Sequence, residues 1–184
     1  FSEYARIERT NALMAHLSAT APEPRVWWLH VDADEFPAGT RGRTVRAQLA
    51  GLDRSIRLVG AEFWNHFPTP GVDPAYTPGH HPLDDQPLVE REPFRYCWAD
   101  HYKHPLVRID RGVPPIRLRA GSHVPELWGG RPLDHPREGI VVHHLQFRAR
   151  EQTLARMDVV AGRLRRGGEP IARRIRHVDA IYRG

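Results

Sequence analysis

Three carboxylates fall within four positions, at Asp32, Asp34 and Glu35, directly after the run Val26-Trp27-Trp28-Leu29-His30-Val31. Burying a carboxylate without a partner is costly, so acids at the end of an apolar strand point to a use. In open α/β sheets, ligands gather beyond the carboxyl ends of strands. Side chains alternate along an extended segment, which predicts that Asp32 and Asp34 share a face. Two hard oxygen ligands there suit Mg²⁺ or Mn²⁺, more so when a substrate phosphate completes the shell. The plainer alternative is a strand followed by an acidic turn, with Asp34 capping the next element.

Other chemistry-bearing residues are spread along the chain. His143 and His144 end a predicted strand over 139–144. Neighbours on a strand point to opposite faces, so only one of the two can serve a site. Lys103 and Arg108 flank another short strand. A cation there could offset charge on a departing phosphate, or be an ordinary surface base on an edge strand. Gly121-Ser122-His123 follows a strand, and its glycine permits close backbone approach to a ligand. Glu35, Glu62, Asp100 and Glu126 are the candidates for a general base, and no pattern selects among them.

Several of these residues lie in segments that resemble a known family. Trp28-Leu29-His30-Val31-Asp32-Ala33-Asp34-Glu35-Phe36 resembles the W-x-x-x-D-x-D-E-F segment of a bacterial glycosyltransferase group related to family 2. His143-His144-Leu145-Gln146-Phe147-Arg148-Ala149-Arg150-Glu151-Gln152 is similar to the group's late H-x-x-x-R-S-x-E-Q segment, with Ala149 where the group has serine. Tyr102 to Arg108 and Ala120-Gly121-Ser122-His123 match its middle portion, and the matches run in order over residues 1–160.

The resemblance implies an α/β protein with a partial GT-A (nucleotide-diphospho-sugar transferase) fold, a mixed central sheet flanked by helices. It implies that Asp32 and Asp34 hold Mn²⁺ or Mg²⁺ against the diphosphate of a UDP- or GDP-sugar. A late histidine, by motif spacing His144, would add a ligand. Donor binding would fall to Asp32, Asp34, Lys103, His123 and Arg148, and transfer to a carbohydrate, lipid or protein acceptor would invert the anomeric centre. Since the chain opens on Phe1, the family's nucleotide-binding strands are expected to lie upstream of it.

The elements that must position these residues are legible in outline. At 184 residues, one domain over 1–184 is expected. Ile7, Met14 and Leu17 mark the inner face of a helix over 2–18, with Ser2 as its cap. A short helix over 44–52 would turn Val45, Leu49 and Leu52 inward, and a strand is expected over 56–67 with its aromatic residues in the core. Residues 68–93 carry seven of the 17 prolines and predict an extended loop without a ladder. Short strands at 106–109 and 116–119 precede the one at 139–144. A helix over 149–165 shows Leu154, Met157, Ala161 and Leu164 at helical spacing, and a basic helix follows over 169–182.

Composition narrows the partners. A net charge of +5 attracts anions, but the arginines are dispersed and accompany no nucleic-acid signature, so no specific nucleic acid is expected. The same field would draw a nucleotide-sugar diphosphate or an anionic membrane surface. A single cysteine, Cys97, excludes an internal disulfide and fits a cytoplasmic setting, with peripheral contact to the inner membrane face through the basic helix. The expected activity is metal-dependent glycosyl transfer. Its rivals are a metal-dependent phosphoesterase and a non-catalytic domain binding carbohydrate or a partner.

Overall fold

The computed structural model describes residues 3–71, 79–90, 103–118, 125–126, 139–145 and 149–167. Two compact units divide the chain, one of residues 1–63 and 101–143, the other of residues 64–100 and 144–184. The fold is α/β, with a mixed, curled sheet and helices. Its elements are α1 (Glu3–Thr20), β1 (Arg25–Leu29), β2 (Glu35–Gly39), α2 (Val45–Ala50), β3 (Leu58–Phe67), α3 (Pro82–Asp85) and β4 (Leu88–Glu90). They continue with β5 (Lys103–Asp110), β6 (Arg117–Leu118), β7 (Pro125–Glu126), β8 (Ile140–His144) and α4 (Arg150–Gly167). Among the described residues, no helix is long and apolar enough to cross a membrane.

In the first unit the strands run in the order β1-β5-β3-β8-β2, while β6 and β7 pair separately. Alternation along β3 and β5 splits their apolar residues between two faces. Leu58, Val107 and Ile109 join Ile7 and Met14 of α1, with Ile116, Leu118 and Trp28, in one core. Val59, Ala61, Leu106, Ile140 and Val142 form the other, against Val45, Leu49 and Leu52 on and beside α2. Strands covered on both faces read as continuous apolar runs, which is why β3 and β8 stand out in the sequence. The Thr44 hydroxyl opens α2 by accepting the Ala47 amide at 3.1 Å.

The buried stripe of α1 differs from the expected one. Ile7 and Met14 are buried, yet Leu17 is exposed, and Asn11 and Ser18 take the remaining inner positions. Each of these polar residues is there because a distant partner satisfies it. Asn11 accepts the Leu118 amide at 2.8 Å and donates to the Leu118 carbonyl at 3.0 Å, tying α1 to β6. Ser18 accepts the Trp28 indole N–H at 2.8 Å.

The acidic strand also differs. β1 stops at Leu29, and its tryptophans are only half-buried because it lies at an edge of the sheet. β2, next in sequence, lies at the other end of the strand order. Four strand steps of about 4.8 Å separate the two in a flat sheet. The five linking residues reach about 20 Å when fully extended and less through a tight turn, so the curl of the sheet accommodates the link.

The proline-rich stretch holds more regular structure than its composition suggests. Pro82–Asp85 is helical, and Leu88, Val89 and Glu90 of β4 pair with Phe67, His66 and Asn65 at the end of β3, inside the second unit. Those three residues contain no proline, so the ladder can form between the breaks. In α4, Thr153 is buried and Leu154 exposed, against the inward position expected of Leu154. Ser2 and the expected helix over 169–182 lie outside the described residues.

The exposed Asp53 accepts the Ser55 hydroxyl at 2.6 Å and its amide at 2.7 Å, and these bonds hold its carboxyl below the usual carboxylate range. Their support for the turn into β3 is present above that range and is lost as pH falls through the depressed pKa.

Removing a side chain that satisfies both backbone groups of Leu118 leaves two buried polar atoms unpaired. Asn11→Ala should therefore lower unfolding free energy by about 2–4 kcal/mol in denaturant titration, whereas Leu17→Ala on the same helix should cost less than about 1 kcal/mol.

Candidate functional site

The acidic segment is a turn rather than an extended strand. The His30 amide still donates to the Pro105 carbonyl at 2.7 Å, and the chain then leaves the sheet. The Glu35 amide donates to the Asp32 carbonyl at 3.1 Å, and the Asp32 amide donates to Glu35 Oε2 at 2.9 Å. The turn is thus closed from both sides. Strand alternation therefore does not apply to Asp32 and Asp34, which lie on the turn.

The three acids are placed differently. Glu35 is buried, with 7% of its surface exposed, and its carboxylate clamps the turn. Asp34 is half-buried and Asp32 exposed. Asp32 also lines a small recess of about 150 Å³, together with Arg6, Thr10, Leu29, His30 and Val31. This recess lies between α1 and the end of β1, in the first unit.

Carboxylates are hard oxygen ligands of the kind a divalent cation takes, and Mg²⁺ keeps several waters besides. Among the described residues no three His, Cys, Asp or Glu side chains gather closely enough to hold a metal alone. One or two carboxylates with phosphate oxygens make up the usual Mg²⁺ shell of nucleotide enzymes, so that arrangement suits a cation brought in with its ligand.

His144 closes β8, in the second unit, and both it and His143 are half-buried. The His144 Nδ1 lies 2.9 Å from Asn65 Oδ1. Asn65 is itself 7% exposed, a polar residue inside an apolar and aromatic strand.

Arg108 does not face a ligand. It is 6% exposed on β5, an inner strand between β1 and β3. Its Nε and Nη2 donate to the two Asp110 oxygens at 2.7 and 3.0 Å, and Nη2 also donates to the Arg54 carbonyl at 2.7 Å. The guanidinium carbon stands 5.7 Å from the ring centre of Trp27, its cross-strand neighbour. Asp110 is shared with Arg57 at 3.6 Å. A buried arginine is tolerable only with such pairing, and both expectations for Arg108, anion ligand and surface base, give way to a structural role.

The remaining candidates divide simply. Glu62 is exposed on β3. Lys103 begins β5 and Glu126 ends β7, but only their backbones are described. Asp100, His123 and Arg148 lie outside the described residues, as does Gln146.

Comparison with known proteins adds no relative: no protein-family model, no curated protein and no solved structure matches this chain.

The clamp can be tested by its chemistry. Glu35→Ala should destabilise the fold by about 1.5–3 kcal/mol, the range for a buried hydrogen bond to a charged group. Glu35→Gln keeps an acceptor oxygen and should lose less than half of that, both read by denaturant unfolding.

Proposed function

We propose that this chain is a metal-dependent glycosyltransferase domain of GT-A type, moving a sugar from a UDP- or GDP-sugar to a carbohydrate, lipid or protein acceptor with inversion. The observation that carries the reading is the Asp32-Ala33-Asp34 turn: two acids presented at the end of β1, one of them on a recess, held by a third acid that is buried. The family resemblance supplies the reaction class, and the α/β architecture agrees with it at the coarser level.

In this reading Asp32 and Asp34 hold Mn²⁺ or Mg²⁺ on the donor diphosphate, whose oxygens complete the shell. The cation, when bound, supplies Lewis-acid stabilisation to the departing nucleotide diphosphate. Glu35 fixes the backbone of the turn so that the two ligand carboxylates keep their spacing. Lys103, His123 and Arg148 contribute donor contacts. The acceptor hydroxyl gives its proton to a carboxylate; with Glu35 engaged as a clamp, Glu62, Asp100 and Glu126 are the better candidates.

Asp34→Asn removes a ligand charge with little change of shape. Mn²⁺-dependent binding of UDP or GDP, followed by calorimetry, should weaken at least tenfold, and sugar transfer should fall by on the order of 100-fold or more. Undiminished metal-dependent binding and transfer in Asp34→Asn would remove the cation from this turn.

A further inference from the structure

We infer that the acceptor is a carbohydrate, and that the recess between α1 and the end of β1 takes one of its sugar rings. The inference rests on the reading of this chain as a glycosyltransferase and chooses among the acceptor classes which that reading allows.

Charge is the first discriminator. Arg6 of α1 and Asp32 line the same recess, one a cation and the other an anion. Arg6 is exposed, and among the described residues nothing engages its guanidinium. An arginine offers only donors, and an ionised carboxylate only acceptors, with about four lone-pair sites. Asp32 can therefore accept from a ligand as well as serve a cation. Thr10, one turn along α1, donates its hydroxyl to the Arg6 carbonyl at 3.0 Å, which leaves its oxygen to accept. Hydroxyls on an uncharged ligand both donate and accept, and so satisfy all three groups. An anionic ligand would be repelled by Asp32 and a cationic one by Arg6.

Shape is the second. The recess measures about 150 Å³, a space that admits one six-membered ring. Ile7, Leu29, Val31 and Leu118 give it an apolar wall, and Leu29 and Val31 remain 41% and 38% exposed. The C–H faces of a ring can cover that wall while its hydroxyls reach the polar groups, as in most small-molecule pockets. A lipid chain would cover the wall too, but would strip water from Arg6 and Asp32 without replacing its hydrogen bonds. A serine or threonine side chain of a protein acceptor is too small to fill the space. Asp32 belongs both to the recess and to the acid turn, so a ring seated here adjoins the proposed cation seat.

The test uses methyl glycosides of glucose, galactose, mannose and N-acetylglucosamine, added to the ¹⁵N-labelled chain. At least one should shift the amides of residues 6–10 and 29–32, with or without Mn²⁺, and UDP or GDP with Mn²⁺ should leave it bound. Arg6→Ala, a change on an exposed part of the helix, should weaken that binding about tenfold, the worth of one hydrogen bond to a charged group. Undiminished binding in Arg6→Ala overturns the proposal. So does a shift of those amides by dihexanoylphosphatidylglycerol or a serine-containing peptide and by no glycoside. A glycoside that UDP- or GDP-sugar displaces, and UDP or GDP does not, overturns it as well, because the seat is then the donor's. Silence toward every glycoside beside intact metal-dependent nucleotide binding overturns it and leaves the transferase reading standing. A glycoside response without metal-dependent nucleotide binding removes that reading, and the acceptor assignment falls with it.

Discussion

A buried carboxylate gripping a backbone amide lets this chain turn out of one edge strand and re-enter at the other. Glu35 is that carboxylate and Asp32 supplies the amide. The link between β1 and β2 is five residues long, yet the two strands close opposite ends of a five-strand path. A loose link of that length would leave the curl of the sheet to chance. A turn closed by two hydrogen bonds defines where β2 begins, and with it the pairing available to β8. Asp32 and Asp34 sit on that same turn.

The molecule treats its buried and exposed charges differently. Buried Arg108 has Asp110, the Arg54 carbonyl and the Trp27 ring around it, so its desolvation is offset within the protein. Glu35, Asn11 and Asn65 are likewise buried with a specific partner each. Asp32, by contrast, stays exposed on the lining of a recess.

Much of the architecture was legible in the sequence. β3 and β8 are apolar because both of their faces are covered, and α2 shows an N-cap and three inward apolar residues. Local spacing suffices for such elements. The misses share another cause. Leu17 read as part of the inner face, and Asn11 and Ser18 did not, because the groups that satisfy those two, Leu118 and Trp28, are remote or on another element. Arg108 read as a surface or ligand base because nothing local announces that β5 is an inner strand. The acids read as an extended pair because the Glu35 clamp depends on a side chain folding back on the amide three residues earlier, which alternation does not encode. Of the candidate site, residue type and position marked the acid cluster, but not the turn on which it lies.

The most direct test is where Mn²⁺ sits. Sub-stoichiometric Mn²⁺ added to the ¹⁵N-labelled chain with UDP or GDP should broaden the amide signals of residues 32–35 before those of α2 or the β3–β4 hairpin. Broadening centred anywhere else, or none with either nucleotide, would contradict a cation seat at Asp32 and Asp34.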